Sequence, residues 1–450
     1  MKFLIRSGCG EALPIAMRLD EEGNFVRLAI SEEADEEYQK VGEGLVEKAK
    51  FDGRNVEWAD VVVFDSNVFN LPYEAENLRY KGKRIVGSSR LAGRLENDRA
   101  FAIQAAKSTG IRVPDIRSFA GNAAWDDAKH YLTKLPPEDK LVWKPNGEAP
   151  ASTFVAESVD EMLEMLPYWR ELFTEHGDEP NFIITDKIEG EEISSEGWFN
   201  GDEFYLSNST LERTRFFDGD HGEKTGCAGN VVWSHGDTPL YHRLFDKLGP
   251  IFVSHYNGPV DINVIIEKNS NEPVFLEFTP RFGYDALFGL MEILKSDLGQ
   301  LFYDTADGRD IRANVDSAFS GAVRVHIPPY PEPSAEDDKQ RPVGIPIFGW
   351  EPQGKKVSGI YPVEVMLKDH NVVTSGPDGY VMVVAAKGPS PREAMEGAYK
   401  VLDKIRIPTA RWRMDLATKL QNVYDIIRGS GWISESNKRS PTIQLFRRSA

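Results

Sequence analysis

Residues 1–90 alternate short, continuous apolar runs with amphipathic stretches. "KFLI", "DVVVF" and "RIV" are each followed by small or polar residues. A strand that is apolar at every position is covered on both faces, and strands of that kind separated by helices predict a parallel sheet. Such sheets collect ligands at the carboxyl ends of their strands. In this chain those ends are "SGCGE", with Gly8 and Glu11, and "DSN", with Asp65 and Asn67. Residues 1–90 are therefore expected to form an N-terminal α/β substrate domain.

The pattern changes afterwards. "RLENDRAFAIQAAKSTG" reads as one helix ending at Gly110, and "VDEMLEMLPYWRELF" as another with acids at its start. Between them, "LVWK" and "TFVA" read as strands around a loop of small residues, giving a small α+β lobe over 91–175. Residues 176–325 read as a strand-rich α+β lobe containing a glycine-bearing link, "GEKTGCAGN", with Thr225 and Gly226. The proline-rich "HIPPYPEPSA" marks a boundary. A smaller α/β domain over 326–430 follows, its helix opening with Ser390-Pro391-x-Glu393, a capping-box start. Residues 431–450 read as a basic tail with Lys438, Arg439, Arg447 and Arg448.

One hairpin carries chemistry. "GPVDINVIIEKNSNEPVFLEFTPRFG" is two apolar strands around a polar turn. Centring the turn on Asn269 sets Asp261 opposite Glu277, with Asn263 and Thr279 on the same face. Two carboxylates so placed repel unless a cation lies between them. Mg²⁺ suits the position, since it takes a few protein oxygens and leaves the rest to water and phosphate. Arg281 reaches the same space. Lys144, closing the apolar run "LVWK", and Arg99, on the preceding helix, add cations for phosphate oxygens. Acids for a metal and bases for phosphates together point to a nucleoside triphosphate.

Composition narrows the partners. The 450 residues carry 53 Lys and Arg against 71 Asp and Glu, a net charge of −18, which argues against nucleic acid or anionic membrane as the main partner. Cys9 and Cys227 fit no metal spacing and no disulfide framework, so a reducing cytoplasm is the expected compartment. No apolar run reaches the length that spans a bilayer.

The order of "RLENDRAFAIQAAKSTGIRVP", "LVWKPNG", "KIEGEE", "KTGCAGN" and "VFLEFTPRFG" resembles that of ATP-grasp enzymes. Together with "MKFLIRSGCGEA" and "GPDGYVMVVAAKGPSPREAMEGAYKVLDKI", it is similar to the glycinamide ribonucleotide synthetase (phosphoribosylamine–glycine ligase) family of purine biosynthesis. The resemblance implies an ADP-forming carboxylate–amine ligase using ATP and Mg²⁺, acting on small molecules as a monomer or homodimer. It assigns Arg99, Lys144 and Glu191 or Glu192 to the nucleotide, and Asp261, Glu277 and Thr279 to the metal. Arg281 falls beside the transferring phosphate, and Gly8, Glu11, Asp65, Asn67, Thr225 and Gly226 near the substrates. Departures are visible. Thr279 replaces the family's metal-binding Asn, Arg99 a Lys, and the phosphate flap is reduced to "NGEAPASTF". The substrate loops "CGEA" and "DSN" also differ from the family's. A ligase with another amine or carboxylate, and a nucleotide-binding protein without turnover, remain open on these residues.

Overall fold

The structure, a computed structural model, describes residues 1–146, 153–234, 238–311, 313–331, 342–351 and 359–433. The flap residues 147–152, the end of the proline-rich junction and residues 434–450 of the basic tail lie outside the described residues. Contacts divide the chain into two units. The larger takes Met1–Ala92, Ile193–Asp261 and Thr279–Ala450, and the smaller Gly93–Glu192 with Ile262–Phe278.

The larger unit begins with the expected parallel sheet. Its strands are β1 (Lys2–Ser7), β2 (Phe25–Ile30), β3 (Glu47–Lys48), β4 (Val61–Phe64) and β5 (Ile85–Val86), ordered β3-β2-β1-β4-β5 with every pair parallel. All four residues of β4 are buried. The order reverses between β1 and β4, so the loops after Ser7 and Phe64 flank a switch point where ligands collect.

In the smaller unit, β6 (Ile116–Ala120), β7 (Leu141–Pro145), β8 (Phe154–Ala156) and β9 (Asn181–Asp186) form an antiparallel sheet ordered β6-β9-β7-β8. The 159–176 helix packs on it, starting at Ser158, whose hydroxyl accepts from the Glu161 N–H at 3.2 Å. Trp143 and Trp169 stack at 4.1 Å in the core. The single helix expected over 94–110 is replaced by two, Arg90–Asn97 and Arg99–Ser108. Asp98 causes the break: it leaves helical geometry and its carboxylate caps the second helix through the Phe101 N–H at 3.0 Å. Arg99 therefore opens a helix instead of lying inside one.

A third sheet comprises β10 (Gly190–Phe199), β11 (Phe204–Phe217), β12 (His221–Ser234), β13 (Gly258–Glu267), β14 (Pro273–Thr279), β15 (Phe319–His326), β16 (Ile360–Pro362) and β19 (Tyr380–Gly388). Its order is β14-β13-β10-β11-β12-β15-β19-β16, and β17 (Val365–Lys368) pairs β18 (Asn371–Thr374) separately. Through β10, β13 and β14 the chain passes from one unit to the other. The "GEKTGCAGN" link is strand, part of β12. Its Gly229 permits close packing, because a Cβ there would meet the Ala322 carbonyl at 2.8 Å. Strands on either side of the proline-rich junction also pair, from Phe319 with Gly388 to His326 with Tyr380. The 391–402 helix starts as expected, with the Ser390 hydroxyl accepting from the Glu393 N–H at 3.2 Å.

Candidate active site

In the smaller unit, one cleft is lined by Arg99, Lys144 and Glu277 together with Glu96, Ile183 and Thr185. β7 delivers Lys144, whose neighbours Trp143 and Pro145 are buried, so alternation turns the ammonium out of the core. The Arg99 guanidinium donates through Nε to the Pro145 carbonyl at 2.8 Å and lies 3.5 Å from a Glu277 carboxylate oxygen. These residues come from a helix start, a strand end and the hairpin. Glu191 and Glu192 open β10 and are not among the residues lining the cleft.

The hairpin turn differs from the expectation. The Glu267 N–H donates to the Glu272 carbonyl at 3.0 Å, so the turn spans 268–271 and is centred between Asn269 and Ser270. An even-numbered turn shifts the pairing by one residue, and direct opposition of Asp261 and Glu277 is not the register it sets. The surroundings differ accordingly. Glu277 is exposed and pairs Arg99, whereas Asp261 is half-buried beside Glu196. Burial, with Asp261 adding repulsion, pushes the Glu196 carboxyl up to about 8 against a hydrogen bond from Trp198 Nε1 at 3.0 Å. The raised acid is one the sequence reading did not name. Its sequence setting, "ISSEGWF", gave no apolar run to mark it, unlike the "VFLEF" around Glu277.

Among the described residues no three His, Cys, Asp or Glu side chains group to hold a metal by themselves. Glu277 fits a phosphate-bound Mg²⁺ nonetheless. Its carboxylate is accessible, shares a cleft with two cations, and Mg²⁺ draws its remaining ligands from phosphate and water. Thr279 ends β14 half-buried.

In the larger unit the predicted substrate residues converge. The buried Asp65 accepts from the Ser7 hydroxyl, from the Gly8 N–H at 3.0 Å and from the Ser66 hydroxyl at 2.9 Å, which knits the two switch-point loops. Asn67 donates to the Pro280 carbonyl at 3.3 Å and accepts from the Ser88 hydroxyl at 2.8 Å. Arg281 thus follows a residue tied to that loop. Burial raises the Glu11 carboxyl to about 7 and Asp65 adds to this, while Arg324 and Arg281 oppose it.

The sequence reading missed Arg324, which lies in the middle of β15. Its Nε donates to Asp285 at 2.9 Å, its Nη1 to the Tyr330 hydroxyl at 2.8 Å, and its guanidinium lies 4.0 Å from the Tyr380 ring centre. Asp285 also accepts from Tyr380 and holds a positive-φ, γ-turn-like backbone, φ 68° and ψ −50°, unusual for a non-glycine residue. Thr225 and Gly226 lie at this cluster. A Cβ on Gly226 would stand 3.9 Å from both Nη atoms of Arg324. The signal in the sequence was a lone base inside the apolar "GAVRVHI".

Residues 97–285 match the family model for the ATP-grasp (A) domain of phosphoribosylglycinamide synthetase. A phosphoribosylamine–glycine ligase of Leptospira interrogans is 25% identical over 345 residues, covering 74% of this chain and 77% of its own. The crystal structure of phosphoribosylamine–glycine ligase from Thermotoga maritima is similar with a TM-score of 0.70 at 19% identity, over 92% of this chain and 100% of that one. The biotin carboxylase of Campylobacter jejuni, in a complex named for ATP, is similar with a TM-score of 0.60 at 17% identity, over 95% of this chain and 96% of its own.

Proposed function

From an ATP-grasp domain and these relatives, we propose that the chain is an ADP-forming carboxylate–amine ligase of the phosphoribosylamine–glycine ligase kind. The observation that carries the reading is the meeting of Arg99, Lys144 and Glu277 in one cleft of the smaller unit. Two cations there bind the triphosphate oxygens, and Glu277 holds Mg²⁺. The metal, when bound, neutralises charge on the phosphates.

In the reaction, a substrate carboxylate oxygen attacks the γ-phosphorus and ADP leaves. The resulting acyl phosphate is attacked by an amine nitrogen, inorganic phosphate departs, and an amide remains. The protein's share is positioning and charge neutralisation. Arg281 is suited to the transferring phosphoryl group, and Glu11 to attracting the amine or accepting its proton. Acids in the substrate loops, Glu11 and Asp65, favour a second version of this reading in which the amine is not phosphoribosylamine.

ADP release measured against a panel of carboxylates and amines tests the function. Lys144→Ala loses a charge-assisted phosphate contact, and its KM for ATP is expected to rise roughly 10–100-fold. An unchanged KM would remove Lys144 from the nucleotide site.

A further inference from the structure

The Arg324 side chain is almost wholly buried, and desolvation works against its charge. A buried ion pair costs solvation that a pair of apolar residues would not, so its presence asks for a reason beyond stability. Its arrangement supplies one. Nε is taken by Asp285 and Nη1 by Tyr330, and the ring of Tyr380 holds one face. Among the described residues Nη2 carries no hydrogen bond. Three partners therefore fix the guanidinium and leave donors at the Nη end.

That end is bordered by Gly226, an exposed residue at which an added Cβ would stand 3.9 Å from both Nη atoms. Strain accompanies the arrangement. Asp285, which locks the guanidinium, has a positive-φ backbone of the kind that persists where the surroundings enforce it, often at ligand sites. The charge balance selects the ligand. Arg281 and Arg324 are set against Glu11, Asp65 and Asp285, so a phosphate dianion is poorly matched there. A planar monoanion adds less negative charge to that acid-rich setting than a dianion does, and it suits the fork of a guanidinium.

We propose that the Nη end of Arg324, with Gly226 at its border, binds the carboxylate of the ligase's small-molecule substrate. The proposal rests on the ligase reading above. It makes Arg324 a specificity residue: the substrate is held by a carboxylate, with Glu11 placed to meet an ammonium of the same or the second substrate.

The test uses the full chain and the variants Arg324→Met, Arg324→Lys and Gly226→Val. The Gly226 variant leaves the ion pair intact and covers the Nη end, so it remains informative if Arg324→Met folds poorly. KM for the carboxylate substrate is expected to rise about 30-fold or more in Arg324→Met and in Gly226→Val, with partial recovery in Arg324→Lys. KM for ATP should stay within about twofold, because that binding belongs to other residues. Calorimetric binding of glycine and other amino acids, with acetate and inorganic phosphate as competitors, forms a separate arm. Acetate should compete better than phosphate, and the reverse order would overturn the assignment. If the wild type releases no ADP with any substrate pair, the ligase reading fails by itself and the binding arm still decides. Amino-acid binding that is lost in the variants supports the Arg324 site. Binding unchanged in the variants, or no binding by the wild type, overturns it.

Discussion

At the scale of residues, the sharpest consequence concerns Glu11. Its carboxyl titrates at about 7 in the folded protein against an ordinary 4.5, chiefly because of burial. The folded state therefore holds this proton more tightly than the unfolded state does. The sign follows: the contribution to stability is full below about pH 4.5 and is lost as the pH rises to about 7. Glu11→Gln is neutral throughout and should flatten the fall of Tm across that window, by at most about 3 kcal/mol of stability at its upper end. The same variant should lose an acidic limb near pH 7 from the kcat/KM profile. A variant whose Tm and rate profiles follow the wild type would show that Glu11 is not the group titrating. Glu277 and Arg324 carry a signature that the sequence displays, a charged side chain within an apolar run, whereas Glu11 and Glu196 stand among small residues. The sequence marks only the first two. It does not say which partner neutralises each charge, because the partners lie on other elements.

At the scale of elements, the loops after β1 and β4 were legible, since buried parallel strands place their chemistry at their carboxyl ends. Lys144 at the end of β7 was legible for a similar reason. The hairpin register was not. It depends on whether the turn takes an odd or even number of residues, and "KNSN" with its flanking acids allows both. The break at Asp98 was hidden because the residues on both sides favour helix, and only the cap reveals it. Close packing of β10 on the hairpin gives a prediction here. A Cβ on Gly190 would stand 2.1 Å from the Ile266 carbonyl oxygen, a backbone atom that cannot swing aside. Gly190→Ala should cost about 1–3 kcal/mol, seen as a lower Tm, with a higher KM for ATP as Glu277 shifts. A Tm equal to that of the wild type would mean that the strands separate without cost.

At the scale of the whole molecule, a net charge of −18 makes the local placement of cations decisive. Arg99 and Lys144 are gathered in the smaller unit, and Arg281 and Arg324 in the larger one. The two units carry different tasks in the account, nucleotide in one and small substrate in the other. The parallel sheet was readable from its continuous apolar strands. Pairing of β15 with β19 was not, because a proline-rich stretch between two strands looks the same whether they part or return to one sheet. The most direct measurement is Mg²⁺-dependent ADP release from ATP, supplied with carboxylate and amine pairs, for the wild type and Glu277→Gln, alongside their melting temperatures. The account predicts release that needs both substrates and falls about a hundredfold or more in Glu277→Gln, with Tm shifted by no more than about 2 °C. No ADP from any pair, or undiminished turnover in Glu277→Gln, would contradict it.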